Sequence, residues 1–160
     1  MLKISDVKKT FNAGTINEKM ALKGLSLQLE EGDFVTVIGG NGAGKSTMLN
    51  AVAGVWPVDA GSIYIDDINV TRLPEHKRAK YLGRVFQDPM TGTAAGMQIE
   101  ENLALASRRG ASRGLRMGIS HKERELYKEK LEMLGLGLEE RMTAKVGLLS
   151  GGQRQALTLL

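Results

Sequence analysis

Apolar and polar residues alternate through LKISDV (2–7), the pattern of a strand with one buried face. NAGTINEKM (12–20) is polar and predicts a loop. ALKGLSLQL (21–29) returns to the period of two, and EEGD then turns the chain. FVTVI (34–38) is continuously apolar and largely β-branched, which predicts a strand covered on both faces in the middle of a parallel sheet. Glycines 39, 40, 42 and 44 follow, and then KSTMLNAVAG, with Leu49, Val52 and Ala53 marking an apolar helix face and Gly54 placed to end it. SIYIDDINV (62–70) reads as a hairpin. Its Asp66 and Asp67 fit a turn between Ile65 and Ile68 better than a pair of acid–base carboxylates. PEHKRAKYL predicts a short helix and GRVFQ (83–87) another strand.

Beyond residue 87 the pattern changes. MQIEENLALA and SHKERELYKEKLEML both have helical spacing, with no strand between them. The second opens with Ser120 and Glu123 in capping-box register, and Tyr127, Leu131 and Leu134 form its apolar stripe. Between the two lies SRRGASRGLRMGIS, glycine-rich and basic. The expected architecture is one α/β domain across residues 1–160, with a core formed by 1–87 and 150–160 and a helical subdomain, 88–149, inserted into it.

Composition narrows the class. The 160 residues are 42% hydrophobic but only 4% aromatic, so aliphatic side chains must fill the core. Gly 20 against Pro 3 suits an α/β protein with many tight turns. A net charge of +4 is mild and fits a solvated surface, so no direct nucleic-acid partner is expected. The absence of cysteine excludes disulfides, thiol catalysis and Cys-based zinc sites, and His76 and His121 lack metal-ligand spacing. No apolar run approaches the roughly 20 residues that span a bilayer, and MLKISDVKKTF lacks an apolar signal core. The expectation is a soluble, cytoplasmic chain that reaches a membrane only through a partner.

GGNGAGKST (39–47) fits G-x-x-x-x-G-K-[ST], after a predicted strand and at the start of a predicted helix. Bare backbone at Gly39, Gly42 and Gly44, with Asn41 and Ala43 between, lets successive N–H groups turn toward phosphate oxygens. The helix end beyond adds orphan amides and a positive dipole. Lys45 would reach the β- and γ-phosphates, Ser46 would offer a hard oxygen to Mg²⁺, and Thr47 would meet the α-phosphate. A nucleoside triphosphate, ATP or GTP, with Mg²⁺ is the implied ligand.

VFQDP (85–89) and LSGGQRQ (149–155) follow in order. With the phosphate loop they make the chain resemble, along its whole length, the nucleotide-binding subunit of an ATP-binding cassette (ABC) transporter. The resemblance implies a P-loop NTPase core with an antiparallel N-terminal β subdomain and an inserted α-helical subdomain. It implies that Phe11 stacks on adenine and that Gln87 approaches Mg²⁺ and the attacking water. Met90, Met97 and Ile99 would lie near a groove that receives a membrane-subunit helix, or would simply pack the helical subdomain. Ser150, Gly151, Gly152 and Gln153 would approach the γ-phosphate held by a second copy of the chain, so that a head-to-tail dimer sandwiches two ATPs. Locally, Ser150 and Gln153 are also in capping-box register, but a capping box has no need of two glycines, which disfavour helix by about 0.8–1 kcal/mol each. The remaining implied partners are membrane permease subunits and an extracytoplasmic substrate-binding protein. The basic stretch 108–124 matches no motif of the family and reads as a solvated loop before a lipid or permease contact.

The family pattern continues into a strand ending in Asp-Glu and then a switch histidine, neither of which is found in these 160 residues. The expectation is therefore a portion of a longer ATPase, truncated after the signature, that binds nucleotide without hydrolysing it alone. The texture is most similar to ATPases of bacterial uptake systems, some linked to aromatic amino acids. The alternatives are a soluble ABC ATPase of DNA repair or translation and a non-hydrolytic ATP-binding module.

Overall fold

The strand that begins at Leu2 runs on to Phe11, forming β1 (Leu2–Phe11), with an irregularity at Asp6 (φ 45°) that shifts the alternation so that Ile4 and Val7 are both buried. β1 pairs antiparallel with β2 (Lys19–Leu29) on one edge and with β3 (Ala60–Ile65) on the other, and β3 turns into β4 (Ile68–Asn69). The sheet is four-stranded in the order β2-β1-β3-β4. Asp66, at φ 51°, takes the left-handed position of the β3–β4 turn, so it serves as a turn residue. Ile4, Val7, Leu22, Ile63 and Ile65 share a buried face, and α1 (Lys45–Ala53) adds Met48 and Ala51 to that core. The buried residues of α1 are Thr47, Met48, Ala51 and Ala53, Val52 is partly buried against the same core, and Leu49 is 58% exposed. Of the predicted face, Val52 and Ala53 are therefore covered, and Leu49 is not.

The computed structural model describes residues 1–88, 90–111 and 118–160, which form two compact units, 1–83 and 84–160. In the first unit, α1 is closed by a buried cation. Gly54 takes the left-handed C-cap conformation (φ 84°), and a Cβ there would fall 2.7 Å from Arg78 Nε. Arg78 ends α2 (Glu75–Arg78) and is 1% exposed. Its Nη1 donates to the carbonyls of Ala51 (2.7 Å) and Val52 (2.9 Å), its Nε to Leu73 (2.7 Å) and its Nη2 to Thr71 (3.0 Å). One guanidinium therefore takes carbonyls of the helix's last turn, Ala51 (which also accepts from the Gly54 N–H) and Val52, and sits at the negative end of its dipole. Nothing in the charged run EHKRAK distinguishes this arginine from its solvated neighbours.

In the second unit, α3 (Ile99–Ser107), α4 (His121–Glu132) and α5 (Gly151–Thr158) pack around Ile99, Leu131, Leu138, Val146 and Leu157. Short 3₁₀ turns at Glu139–Arg141 and Val146–Leu148 lead toward α5. Tyr127 is buried, with its hydroxyl 2.9 Å from Ser107 Oγ. Arg124 grips the buried Glu100 through two hydrogen bonds of 2.8 and 2.9 Å, and Arg108 donates to Glu123 at 2.9 Å. These two cations of the predicted basic loop thus brace α3 and α4. The part of that loop at 112–117 lies outside the described residues.

Two predicted strands are corrected. Residues 34–38 join no sheet, with Phe34 95% and Ile38 90% exposed. Residues 83–87 are likewise not in a strand. A parallel strand is defined by its neighbours, and among the described residues neither segment has a ladder partner.

Arg78→Met should destabilise the chain by about 3 kcal/mol or more, because it leaves several buried carbonyls unpaired. Urea unfolding followed by circular dichroism measures this; an unchanged midpoint would show that the guanidinium bonds are dispensable. The Glu123 carboxyl is pulled down to about 2, first by the Ser120 backbone N–H, then by the Arg108 guanidinium and the Ser120 hydroxyl. Its ordinary value is 4.5, so the unfolded chain takes up this proton first. The stabilisation it provides is complete above pH 4.5 and is lost as pH falls toward 2. Glu123→Gln should therefore flatten the fall in stability across that window, as read from denaturation midpoints at successive pH values.

Candidate functional site

The glycine-rich segment ends on Gly44, the residue preceding α1. Gly44 has φ 88°, and a Cβ there would lie 2.8 Å from the Ala21 carbonyl oxygen of β2. Both facts require glycine, one for the left-handed conformation and one for the close approach of strand and loop. Gly44 also provides no side-chain cap, so the first amides of α1 have neither an intrahelical nor a capping acceptor. Lys45 Nζ folds back and donates to the carbonyls of Gly39 (2.5 Å) and Gly40 (2.8 Å). Asn41, Gly42, Ala43 and Ser46 are exposed, and Thr47 is buried beneath the turn. The arrangement is a collar of bare amides with an ammonium folded against it. An anion with several oxygens can occupy it and draw Lys45 away from carbonyls that suit it less well than phosphate does.

Phe11 ends β1 in the same unit and is half-buried. The Phe11 and Trp56 rings meet at 82° with centroids 4.9 Å apart, and Lys9 Nζ lies 5.6 Å from the Phe11 centroid. Asp59 fixes this end of β1 by accepting from the Thr10 N–H and from Lys9 Nζ. Those donors, the Thr10 N–H first and then the Lys9 side chain, hold the Asp59 carboxyl below its usual range. The contact with Trp56, which follows α1, is invisible in the alternation pattern.

Gln87 lies in the second unit with its side chain exposed. After it, Asp88 accepts from the Met90 N–H (2.9 Å), and a Cβ at Gly92 would sit 2.9 Å from Thr158 Cγ2 of α5. The loop following Gln87 is therefore packed on the helix that begins with the signature. Ile99 is fully buried and serves the core, so it lines no groove; Met90 is exposed and Met97 half-buried.

Ser150 and Gln153 form a reciprocal capping box at the start of α5. The Gln153 N–H donates to Ser150 Oγ at 3.3 Å, and the Ser150 N–H donates to Gln153 Oε1 at 3.2 Å. Gly151 and Gly152 are exposed, and a Cβ on either would meet nothing within 4 Å. Neither adopts a positive φ. The fold of this chain accordingly gives no steric reason for two glycines there. Arg154, which follows, is buried and donates to the Val146 carbonyl (3.0 Å) and to Met90 Sδ. The phosphate loop and Phe11 thus belong to the first unit, and Gln87 and 150–153 to the second. Sequence reasoning missed Arg78, Arg154 and Trp56 because only tertiary contact separates a buried arginine from a solvated one.

Comparison with known proteins places this geometry. The family model described as ABC transporter matches residues 22–160. A tyrosine transport ATP-binding protein of Clostridioides difficile is 40% identical over 160 residues, which are 100% of this chain and 63% of that protein. A lipoprotein-releasing system ATP-binding protein, LolD, of Acinetobacter baylyi is 33% identical, covering 99% of this chain and 67% of its own length. Among solved structures, the ATP-binding cassette MJ0796, in a dimeric post-hydrolysis state bound to ADP and Pi, matches with a TM-score of 0.79 and 32% identity, over 99% of this chain and 67% of that one. The fold is accordingly the α/β P-loop architecture of those cassettes, with its antiparallel sheet and helical segment both formed. On a family match that begins in β2 and runs through the phosphate loop and the signature helix, this chain belongs to the ABC transporter family.

Proposed function

We propose that this chain is the ATP-binding part of an ABC transporter subunit that works as a head-to-tail dimer beneath separate permease subunits. The observation that carries the proposal is the collar of uncapped amides at the start of α1, with Lys45 folded onto the Gly39 and Gly40 carbonyls. In this reading Gly39, Asn41, Gly42, Ala43, Gly44, Lys45, Ser46 and Thr47 cradle the phosphates, and Phe11 carries the adenine. Ser46 and Gln87 would hold Mg²⁺, since an exposed hydroxyl and a side-chain amide are the hard oxygen donors it accepts; when bound, it neutralises phosphate charge. Lys45 and Gln87 would act in catalysis, Lys45 by placing the γ-phosphate and Gln87 by orienting water.

Members of the family hydrolyse ATP, and hydrolysis by the whole protein is part of the proposal. Ser150, Gly151, Gly152 and Gln153 would meet the γ-phosphate of the second copy. The open space around Gly151 and Gly152 supports that reading, because an outside group can approach their backbone. Residues 1–87 and 150–160 would together form the nucleotide-binding core, with 88–149 as the helical subdomain. No helix among the described residues is long and apolar enough to cross a membrane. In the proposed assembly the chain would sit at the cytoplasmic face, held there by the permease.

Import of an aromatic amino acid, delivered by an extracytoplasmic binding protein, is the transport reading we favour. Its support is the 40% identity to a protein named for tyrosine transport.

Trp56 is the single tryptophan, and its ring meets Phe11, so its fluorescence should change when Mg-ATP is added. Lys45→Ala should weaken that titration by roughly a hundredfold or more. An unaltered titration would mean the phosphates bind elsewhere. Gly152→Asp should leave the titration within about twofold of the parent chain while abolishing ATP-dependent dimers in the full-length protein, as measured by light scattering. Normal dimerisation by this variant would remove the signature from the partner's nucleotide.

A further inference from the structure

The proposed nucleotide site has a second cation beside it that no motif accounts for. Lys19 opens β2 directly opposite Phe11 in the β1–β2 ladder, and residues paired in this way present their side chains on the same face. Its ammonium reaches the phosphate loop, where a Cβ at Gly42 would lie 3.4 Å from Lys19 Nζ. Among the described residues Lys19 has no ion-pair partner. The nearby carboxylates are engaged elsewhere. Glu18 accepts from the Gly14 N–H at 2.7 Å, and Asp59 from Thr10 and Lys9.

The loop that delivers Lys19 has its own internal structure. The Asn12 carbonyl accepts from the Thr15 N–H (3.1 Å) and from Thr15 Oγ1 (2.8 Å), and the Glu18 N–H donates to the Thr15 carbonyl (3.1 Å). Together with the Glu18–Gly14 bond, these fix where β2 begins and so where the Lys19 stem starts. The two ammonium groups sit at different points of the collar. Lys45 lies on the carbonyls of Gly39 and Gly40, whereas Lys19 lies at Gly42, on the strand pair that carries Phe11.

We propose that Lys19 is a second phosphate-binding cation, engaging the phosphates that ATP and ADP share, between the aromatic platform and the γ-phosphate. The inference rests on the reading of 39–47 as a nucleotide site and adds a phosphate-binding residue to it. Charge placement supports it, because a free ammonium near the collar lowers the electrostatic cost of bringing a polyanion into the loop. If Lys19 only solvates the sheet, nucleotide affinity will not depend on its charge.

The test is a Trp56 fluorescence titration of the full chain with Mg-ATP and with Mg-ADP, at low and high salt, for the parent, Lys19→Gln, Lys19→Arg and Lys45→Ala. Lys19→Gln should weaken both nucleotides by roughly fivefold, and Lys19→Arg should stay within about twofold of the parent. The ATP-to-ADP affinity ratio should be unchanged in Lys19→Gln and the salt dependence shallower. Because Lys19 is exposed, melting temperatures without nucleotide should coincide. Parent-like binding of both nucleotides by Lys19→Gln, with Lys45→Ala defective, would overturn the role of Lys19 and leave the site standing. A loss confined to ATP would overturn the assignment to the shared phosphates. Equal binding by the parent and Lys45→Ala would overturn the nucleotide site itself, and Lys19 with it.

Discussion

The structure depends on one close approach, that of the Gly44 backbone to the Ala21 carbonyl oxygen. A Cβ on Gly44 would lie only 2.8 Å from that oxygen, so the residue before α1 must be glycine, and the left-handed φ of 88° requires the same. This contact seats the loop on β2, two residues from the lysine that faces Phe11. Phe11, the proposed base platform, the loop and both cations near it are therefore referenced to one strand pair. A looser fit at Gly44 would let the collar and the platform drift independently, and a nucleotide that touches both would bind less tightly.

Arg78 does at the far end of α1 what Gly44 does at the near end. A helix of nine residues is marginal by itself and owes its stability to tertiary contacts. Met48 and Ala51 anchor it by one face, and the Arg78 guanidinium takes the carbonyls of Ala51 and Val52. The positive charge faces the negative end of the dipole, and the uncapped amides stand at the positive end. The start of α1 thus carries uncapped amides while carbonyls of its last turn are held by Arg78 and by the backbone that follows.

Much of this was legible in the sequence wherever the signal is local. The alternation of 2–7 and 21–29, the turn at Asp66, the cap at Gly54 and the capping boxes at Ser120 and Ser150 all depend on neighbours within a few residues. The segments 34–38 and 83–87 were misread as formed strands, because composition records a preference for apolar surroundings and not whether a partner strand is present. The buried arginines were invisible for the converse reason. Arg78 and Arg154 look like surface residues until the fold brings them to backbone carbonyls outside their own helices. At the site, the motif identified the loop, but the Phe11–Trp56 contact and the position of Lys19 arise only from the packing of β1, β2 and α1.

The signature helix repeats the logic of α1 with different chemistry. Its inner face is fixed by Leu157 in the core and by Arg154 on the Val146 carbonyl. At its start the capping box satisfies the amides of Ser150 and Gln153, which leaves the amides of Gly151 and Gly152, the first two residues of α5, at the helix N-terminus with open space where their side chains would be. A helix under selection for stability alone would carry better helix formers at those two positions, where nothing in this fold obstructs a side chain. Bare amides at a rigidly held helix end make sense when an anion must come close, and under the proposed function α1 offers such an end to the phosphates on its own loop. Under the proposed dimer, α5 offers the second end to the partner's nucleotide, so that each triphosphate would lie between two helix N-termini from different copies. Each copy then needs the other to complete the electrostatic environment of its nucleotide, which is how a site divided between chains would couple ATP binding to association.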